Sequence, residues 1–251
     1  MSVNYGRPVR RLRGHEAGFT LVELSVALMI GLFLLGGLLT LVHDMRRTFG
    51  NQNQLSQLQD SERLAMTLIT DVIQAAGYYP DPAFHTVSTS FPAVAPFTTD
   101  GQAIWGTRNA AAPGDGIFVQ FRAAPNDGVI NCTGNTNLTG ANQTYINVFS
   151  VDAAGNLNCT LNNAAPVPLI TGIKNLQILY GVKTLNVGTP DNNVDSFLYA
   201  DQMTSANWSN VICVKVTLTF KNPLAASPGQ PATIPFTRVI TVMARGGVNT
   251  A

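Results

Sequence analysis

The spacing of apolar positions changes character along the chain and divides it into a helical part and a strand-rich part. From Gly18 to Val42 the sequence GFTLVELSVALMIGLFLLGGLLTLV is almost continuously apolar, and Glu23 is its single formal charge. Beyond Val42 polar residues enter, while Leu55, Leu58, Ala65, Leu68, Ile69, Val72, Ile73 and Ala76 recur at steps of three and four, with one wider gap around Glu62. That spacing is the stripe of an amphipathic helix. No proline intervenes before Pro80, so the pattern predicts one long helix over 19–76, with an apolar half over 19–42 and an amphipathic half over 43–76. Gly77 supplies a stop, and Pro80 and Pro82 prevent continuation. Gly31, Gly36, Gly37 and Gly50 lower helix propensity locally and leave room for bending or partial melting there.

After Gly77 the period shifts. Residues 78–116, rich in Pro, Thr, Ser and Ala, read mainly as loop, with Trp105 an anchor onto the core. Strands are predicted over Ile117–Phe121, Tyr145–Val151, Gly172–Val182, Val211–Phe220 and about Thr233–Met243. The clearest is Val211–Phe220, where Ile212, Val214, Val216, Leu218 and Phe220 share one face and Cys213, Lys215, Thr217 and Thr219 the other. Strands gathered after one long helix predict an α+β fold, an antiparallel sheet carrying the helix on one face. The expected division is a leader over 1–18, the helix over 19–76 and a β-rich globular domain over 77–251.

Charge then gives the apolar half a setting. A hydrocarbon core about 30 Å thick needs roughly 20 apolar residues in helix to cross it, and Leu24 to Val42 carries no charge at all. Arg7, Arg10, Arg11 and Arg13 precede the run. A basic flank of this kind keeps the N-terminus cytoplasmic and sends the C-terminal bulk across the membrane. Two readings of Glu23 stand at this point: a carboxylate at headgroup depth, or a buried acid that requires a partner cation. Over the whole chain 15 Lys+Arg against 14 Asp+Glu give +1, so no basic excess marks a nucleic-acid footprint.

Little else in the sequence carries chemistry. His15, His43 and His85 lie too far apart for metal-ligand spacing. The glycines around Asp115 lack the strand before and helix after that a phosphate loop needs, and read as turns. Asp191-Asn192-Asn193-Val194-Asp195 places oxygen ligands at alternate positions, as a calcium loop begins. It lacks the following Gly and has Gln202 where the closing carboxylate belongs, so a turn between strands is preferred over a calcium site. Triplets such as those starting at Asn137 and Asn142 are expected by chance in an Asn- and Thr-rich chain. No catalytic residue, cofactor-binding residue, metal ligand or cofactor is predicted, and the chain is not expected to be an enzyme. Cys132 and Cys159, both in Asn/Gly/Thr-rich loop sequence, are a candidate disulfide whose closure contributes about 3 kcal/mol. Cys213 sits in a strand pattern and is read as a lone thiol, with exchange of partners among the three left open.

The opening segment Gly18-Phe19-Thr20-Leu21-Val22-Glu23-Leu24, behind a short basic leader and ahead of an apolar helix, closely resembles the class III signal of type IV pilins and type II secretion pseudopilins. The resemblance implies cleavage by a prepilin peptidase between Gly18 and Phe19, methylation of the Phe19 amine, and pairing of Glu23 with the N-terminal amine of a neighbouring subunit. Arg63-Leu64-Ala65, the run Asp71 to Tyr79, the strand Gly172 to Val182 and Trp208-Ser209-Asn210-Val211 are similar to the PilW family of minor type IV pilins, while 82–167 reads as lineage-specific apart from the cysteine pair. The resemblance implies a minor pilin of a tip complex that primes or caps pilus assembly. Its implied partners are other minor pilins, the major pilin, the prepilin peptidase, the inner membrane and a tip adhesin. The implied location is a single-pass inner-membrane subunit with its C-terminal domain in the periplasm, then the pilus tip. Two alternatives remain at this point: a J-like pseudopilin of type II secretion, and a signal-anchored periplasmic binding or adhesin module.

Overall fold

The computed structural model describes residues 18–111, 113–185 and 193–243. Its contacts divide the chain into two compact units, one through Gly50 and one from Asn51. A single helix, α1 (Leu21–Gln74), contributes to both. The helix is unbroken through Gly31, Gly36, Gly37 and Gly50, so the local melting that these glycines allow does not occur. Its end is built as the sequence predicts. A turn follows Gln74, and Gly77 adopts φ 74°, the left-handed conformation that closes a helix at lowest cost to glycine. The Gly77 N–H donates to the carbonyl of Gln120 (2.9 Å), which ties the helix end to a strand.

Up to Gly50 every described residue is exposed. From Asn51 onward one face of α1 is buried through Leu58, Ala65, Met66, Ile69, Val72 and Ile73. Met66, absent from the predicted stripe, is buried, whereas Leu68 is half-buried.

Among the described residues nine strands form two antiparallel sheets where the pattern predicts one. The first is a meander, β1 (Ile104–Thr107), β2 (Gly116–Ala123), β3 (Gln143–Val151), β4 (Leu157–Leu161) and β5 (Val167–Ile170), in sequential order. The second contains β6 (Ile173–Val182), β7 (Ser196–Leu198), β8 (Val211–Lys221) and β9 (Thr233–Thr241), in the order β7-β6-β8-β9. All five predicted strands form, with ends shifted by a residue or two. Strands β1, β4, β5 and β7 were not predicted because at five residues or fewer they are too short to show a period of two against Asn/Thr/Pro-rich surroundings. Two short helices, α2 (Val87–Ser90) and α3 (Ser205–Trp208), start on the threonine caps Thr86 and Thr204.

The buried stripe of α1 and the inner faces of both sheets share one continuous core. It includes Ile69, Ile73, Phe121, Phe149, Tyr180, Val214 and Phe220. A segment between β1 and β2 joins the sheets. Leu176 donates to the Pro113 carbonyl (3.0 Å) and Asp115 donates back to the Leu176 carbonyl (2.7 Å). A Cβ at Gly114, where φ is 106°, would strike the Leu176 carbonyl, so glycine is required there.

Candidate functional site at the start of the long helix

Gly18 and Phe19 precede α1 as irregular, exposed chain; Phe19 is 88% exposed and nothing crowds Gly18. Thr20 is the residue from which the helix starts, since its carbonyl accepts the first helical bond, from Leu24 N–H (3.2 Å). Its hydroxyl accepts from the Glu23 N–H (3.3 Å), while Glu23 Oε2 accepts from the Thr20 N–H and from the Thr20 hydroxyl, both at 3.0 Å. This is a reciprocal capping box, which satisfies donors that the first turn otherwise leaves orphaned. Reasoning from charge alone missed it, although the signal, Thr followed three residues later by Glu, stands in the sequence. A carboxylate has about four acceptor sites, so the cap does not exhaust what Glu23 can bind.

Within the apolar run the hydroxyls are satisfied locally. Ser25 donates to the Val22 carbonyl (2.8 Å) and Thr40 to the Gly37 carbonyl (2.7 Å), which lets both sit in an apolar setting at low cost. Among the described residues α1 is the one helix long and apolar enough to cross a membrane. The basic flank Arg7, Arg10, Arg11 and Arg13, with His15, lies outside the described residues.

Elsewhere the polar groups serve the fold. Cys132 and Cys159 are joined as a disulfide with Cα atoms 5.8 Å apart, and the Cys132 N–H donates to Asn147 Oδ1 (2.8 Å). Asn137 is buried, with Nδ2 donating to the Ala123 and Ala141 carbonyls (both 2.9 Å), so it shapes its loop from within. Cys213 is a free, buried thiol, held above its usual range by burial. Of the calcium-like run, Asp191 and Asn192 lie outside the described residues. Asp195 accepts through Oδ1 from Thr184 N–H (2.8 Å) and through Oδ2 from Leu185 N–H (2.7 Å). Those backbone donors lower its pKa to about 2. His43 lies on the exposed part of α1 and His85 in the loop before α2.

One polar cluster was not legible in the sequence. Asp115, 3% exposed, accepts from Arg108 Nη1 (3.2 Å), Asn109 N–H (2.9 Å) and Ile178 N–H (2.8 Å). The Arg108 guanidinium also stacks over the Tyr199 ring, 3.8 Å from its centre. Nearby, Trp208 packs against Trp105 and Tyr180, with ring centres 4.8 and 4.7 Å apart. Burial, and then the charge of Asp115, push the Tyr180 hydroxyl well above its ordinary range. Every Asp115 contact is internal to the joint between sheets, so the cluster holds the domain together.

Comparison with known proteins adds two matches. Residues 13–39 match the prokaryotic N-terminal methylation motif, which spans Gly18, Phe19 and Glu23. Residues 137–239 match the family model described as type IV pilus-assembly protein W, which runs from the loop before β3 into β9. The second match begins well inside the stretch read as lineage-specific, so that reading is corrected for 137–167. The segment Arg63 to Tyr79 lies outside both matches. No curated protein and no solved structure matches the chain.

Proposed function

We infer that this chain, a PilW-family type IV pilin-like protein by its two matches, is a minor pilin that primes or caps pilus assembly as part of a tip complex. A pilin-like assembly family suggests a structural subunit rather than an enzyme, and the apolar helix with its methylation motif fits a membrane-anchored pilin. The observation that carries the reading is the coincidence, in one short stretch, of that motif with an exposed Gly18–Phe19 junction, a helix beginning at once behind it, and Glu23 in its first turn.

In this reading the prepilin peptidase cuts between Gly18 and Phe19, where irregular, uncrowded and exposed chain precedes the first helical turn. The new Phe19 amine, methylated, is a cation at the end of an apolar helix. Its natural counter-charge is Glu23 of a neighbouring subunit, because opposite charges in low dielectric favour each other strongly over isolation. The apolar half of α1 passes from bilayer to fibre core, and the β-rich domain contacts other minor pilins, the major pilin or a tip adhesin from the periplasmic side. The bridge between Cys132 and Cys159 suits an oxidising compartment.

Mass spectrometry of the purified mature protein tests the processing step. The expected N-terminus is methyl-Phe19, and an intact Met1 would refute it. For assembly, Glu23→Ala is expected to leave insertion and cleavage intact while removing the subunit from sheared pili, and normal amounts in the pilus fraction would sink the charge-pair role. Deletion separates the related alternative: loss of pilus-dependent motility supports a pilus subunit, and loss of protein secretion supports a type II pseudopilin.

A further inference from the structure

The exposed part of α1 changes character where its apolar run ends. After Val42 come His43, Asp44, Met45, Arg46, Arg47, Thr48 and Phe49, all helical and all exposed. At about 100° per residue, Val42, Met45 and Phe49 fall on one face. Met45 is 63% and Phe49 70% exposed, so an apolar ridge prolongs the run for about two turns on one side only. Arg46 borders that ridge, and Arg47 lies about 100° further round the helix. Asp44 takes the remaining side, where its carbonyl accepts from the Thr48 hydroxyl (2.9 Å). Among the described residues neither arginine forms an ion pair.

The length of the run sets the depth of these side chains. Leu24–Val42 is about 28 Å long at about 1.5 Å per residue, against a hydrocarbon core of about 30 Å. With its headgroups a bilayer measures about 40–45 Å, which leaves about 5–7 Å of headgroup layer on each side. Arg46 lies about 6 Å and Arg47 about 7.5 Å beyond Val42 along the axis. Both therefore stand at the depth of the phospholipid phosphates when the run spans the bilayer. A guanidinium stays charged, and its planar donors match phosphate oxygens in pairs. A tilt of about 20° lowers the Met45 and Phe49 side towards the acyl chains. An acidic protein partner would answer the arginines and leave the ridge in water, and an apolar helix would cover the ridge and leave the arginines unpaired. A lipid surface meets both needs at once.

We propose that residues 43–49 form an interfacial collar, in which Arg46 and Arg47 bind the phosphates of anionic phospholipids while Met45 and Phe49 rest against the acyl boundary. The collar lies at the end of the run opposite the leader and fixes where the helix leaves the bilayer. It depends on the membrane-anchored reading of α1 and needs no role in pili.

The test uses the full chain carrying Thr48→Cys, with Cys213→Ser to leave one free thiol. The thiol is labelled with a fluorophore and the chain reconstituted into vesicles of phosphatidylglycerol and phosphatidylcholine. Quenching by phosphatidylglycerol spin-labelled near its headgroup is expected to exceed quenching by the phosphatidylcholine counterpart about threefold or more, and the excess should shrink as salt is added. The label lies at the opposite end of the run from the leader arginines, so their attraction for the same lipid does not enter. Arg46→Gln with Arg47→Gln is expected to bring the two lipids to parity, and Phe49→Ser to weaken quenching by both at an unchanged ratio. Parity in the parent chain overturns the proposal, as does a preference that survives the double substitution. Unchanged quenching in Phe49→Ser overturns the place given to the ridge. Parity together with an arginine-dependent cross-link from position 48 to another protein assigns the arginines to an acidic partner instead. Flotation of the same vesicles reads anchoring separately. A chain that fails to float refutes the membrane reading and the collar together, whereas a chain that floats at parity refutes the collar alone.

Discussion

The two halves of α1 have the same backbone and opposite burial. Before Gly50, Phe33 is 84% and Leu35 58% exposed; after it, Ile69 is 1% and Ile73 0% exposed. Apolar surface in water costs roughly 25 cal/mol per Å², so the first half is stable only where lipid or other helices replace water. The second half already has its partner, the inner faces of two sheets. Helicity itself does not distinguish them. Being apolar on every side makes the first half independent of a particular fold, whereas a single stripe commits the second half to one.

The sharpest way to break this comparison is to make the same kind of truncation in each half. Ile73→Ala leaves a cavity in a close-packed core and is expected to cost about 2–5 kcal/mol, read as a lower thermal midpoint of the β-rich unit. Leu35→Ala removes exposed surface and is expected to leave that midpoint unchanged. A midpoint loss of similar size in Leu35→Ala would show that the first half is also buried within the chain. Next in size is reduction of the bond between Cys132 and Cys159. Loop-closure entropy puts its contribution at about 3 kcal/mol, all of it in the second unit. Calorimetry with and without reductant should therefore shift the β-rich transition while helix content attributable to residues 21–50 persists.

The smallest effect is acid sensitivity confined to the loops. Asp152 accepts from Asn156 N–H (2.9 Å), Asn156 Nδ2 (2.9 Å) and Asn158 Nδ2 (3.1 Å) in the β3–β4 turn. Those bonds, with the backbone donors on Asp195, hold both carboxyls at about 2 against an ordinary 3.8. A depressed folded-state pKa means that the ionised form favours the folded state. Its contribution is complete above pH 4 and is lost as pH falls from about 4 towards 2. Asp152→Asn and Asp195→Asn should each flatten that part of the stability profile, and an unaltered acid limb in both would refute the assignment.

Much of the fold was legible because two strong periods dominate the sequence. The α1 stripe and its stop at Gly77 follow from helical spacing and glycine conformation, and β8 from alternation over its full length. At the helix start Gly18, Phe19 and Glu23 are legible as a motif, and the Thr20–Glu23 spacing also encodes a capping box, which charge alone does not reveal. Met66 stands beside Ala65 at the margin of the stripe, and only the packed helix shows that it is buried.

The sequence by itself determined the apolar helix, its polar first turn, the switch to an amphipathic stripe and the five longer strands, since each depends on neighbours within a few residues. Only the tertiary structure decided that the strands divide into two sheets, that Asp115 is sealed between them, and that β9 is left as an edge. Those outcomes rest on contacts between residues far apart in the chain: Asp115 with Ile178, Gly77 with Gln120, Thr70 with Arg238. No local pattern encodes them, because a buried carboxylate or an unpaired strand is defined by what the rest of the chain places, or fails to place, beside it.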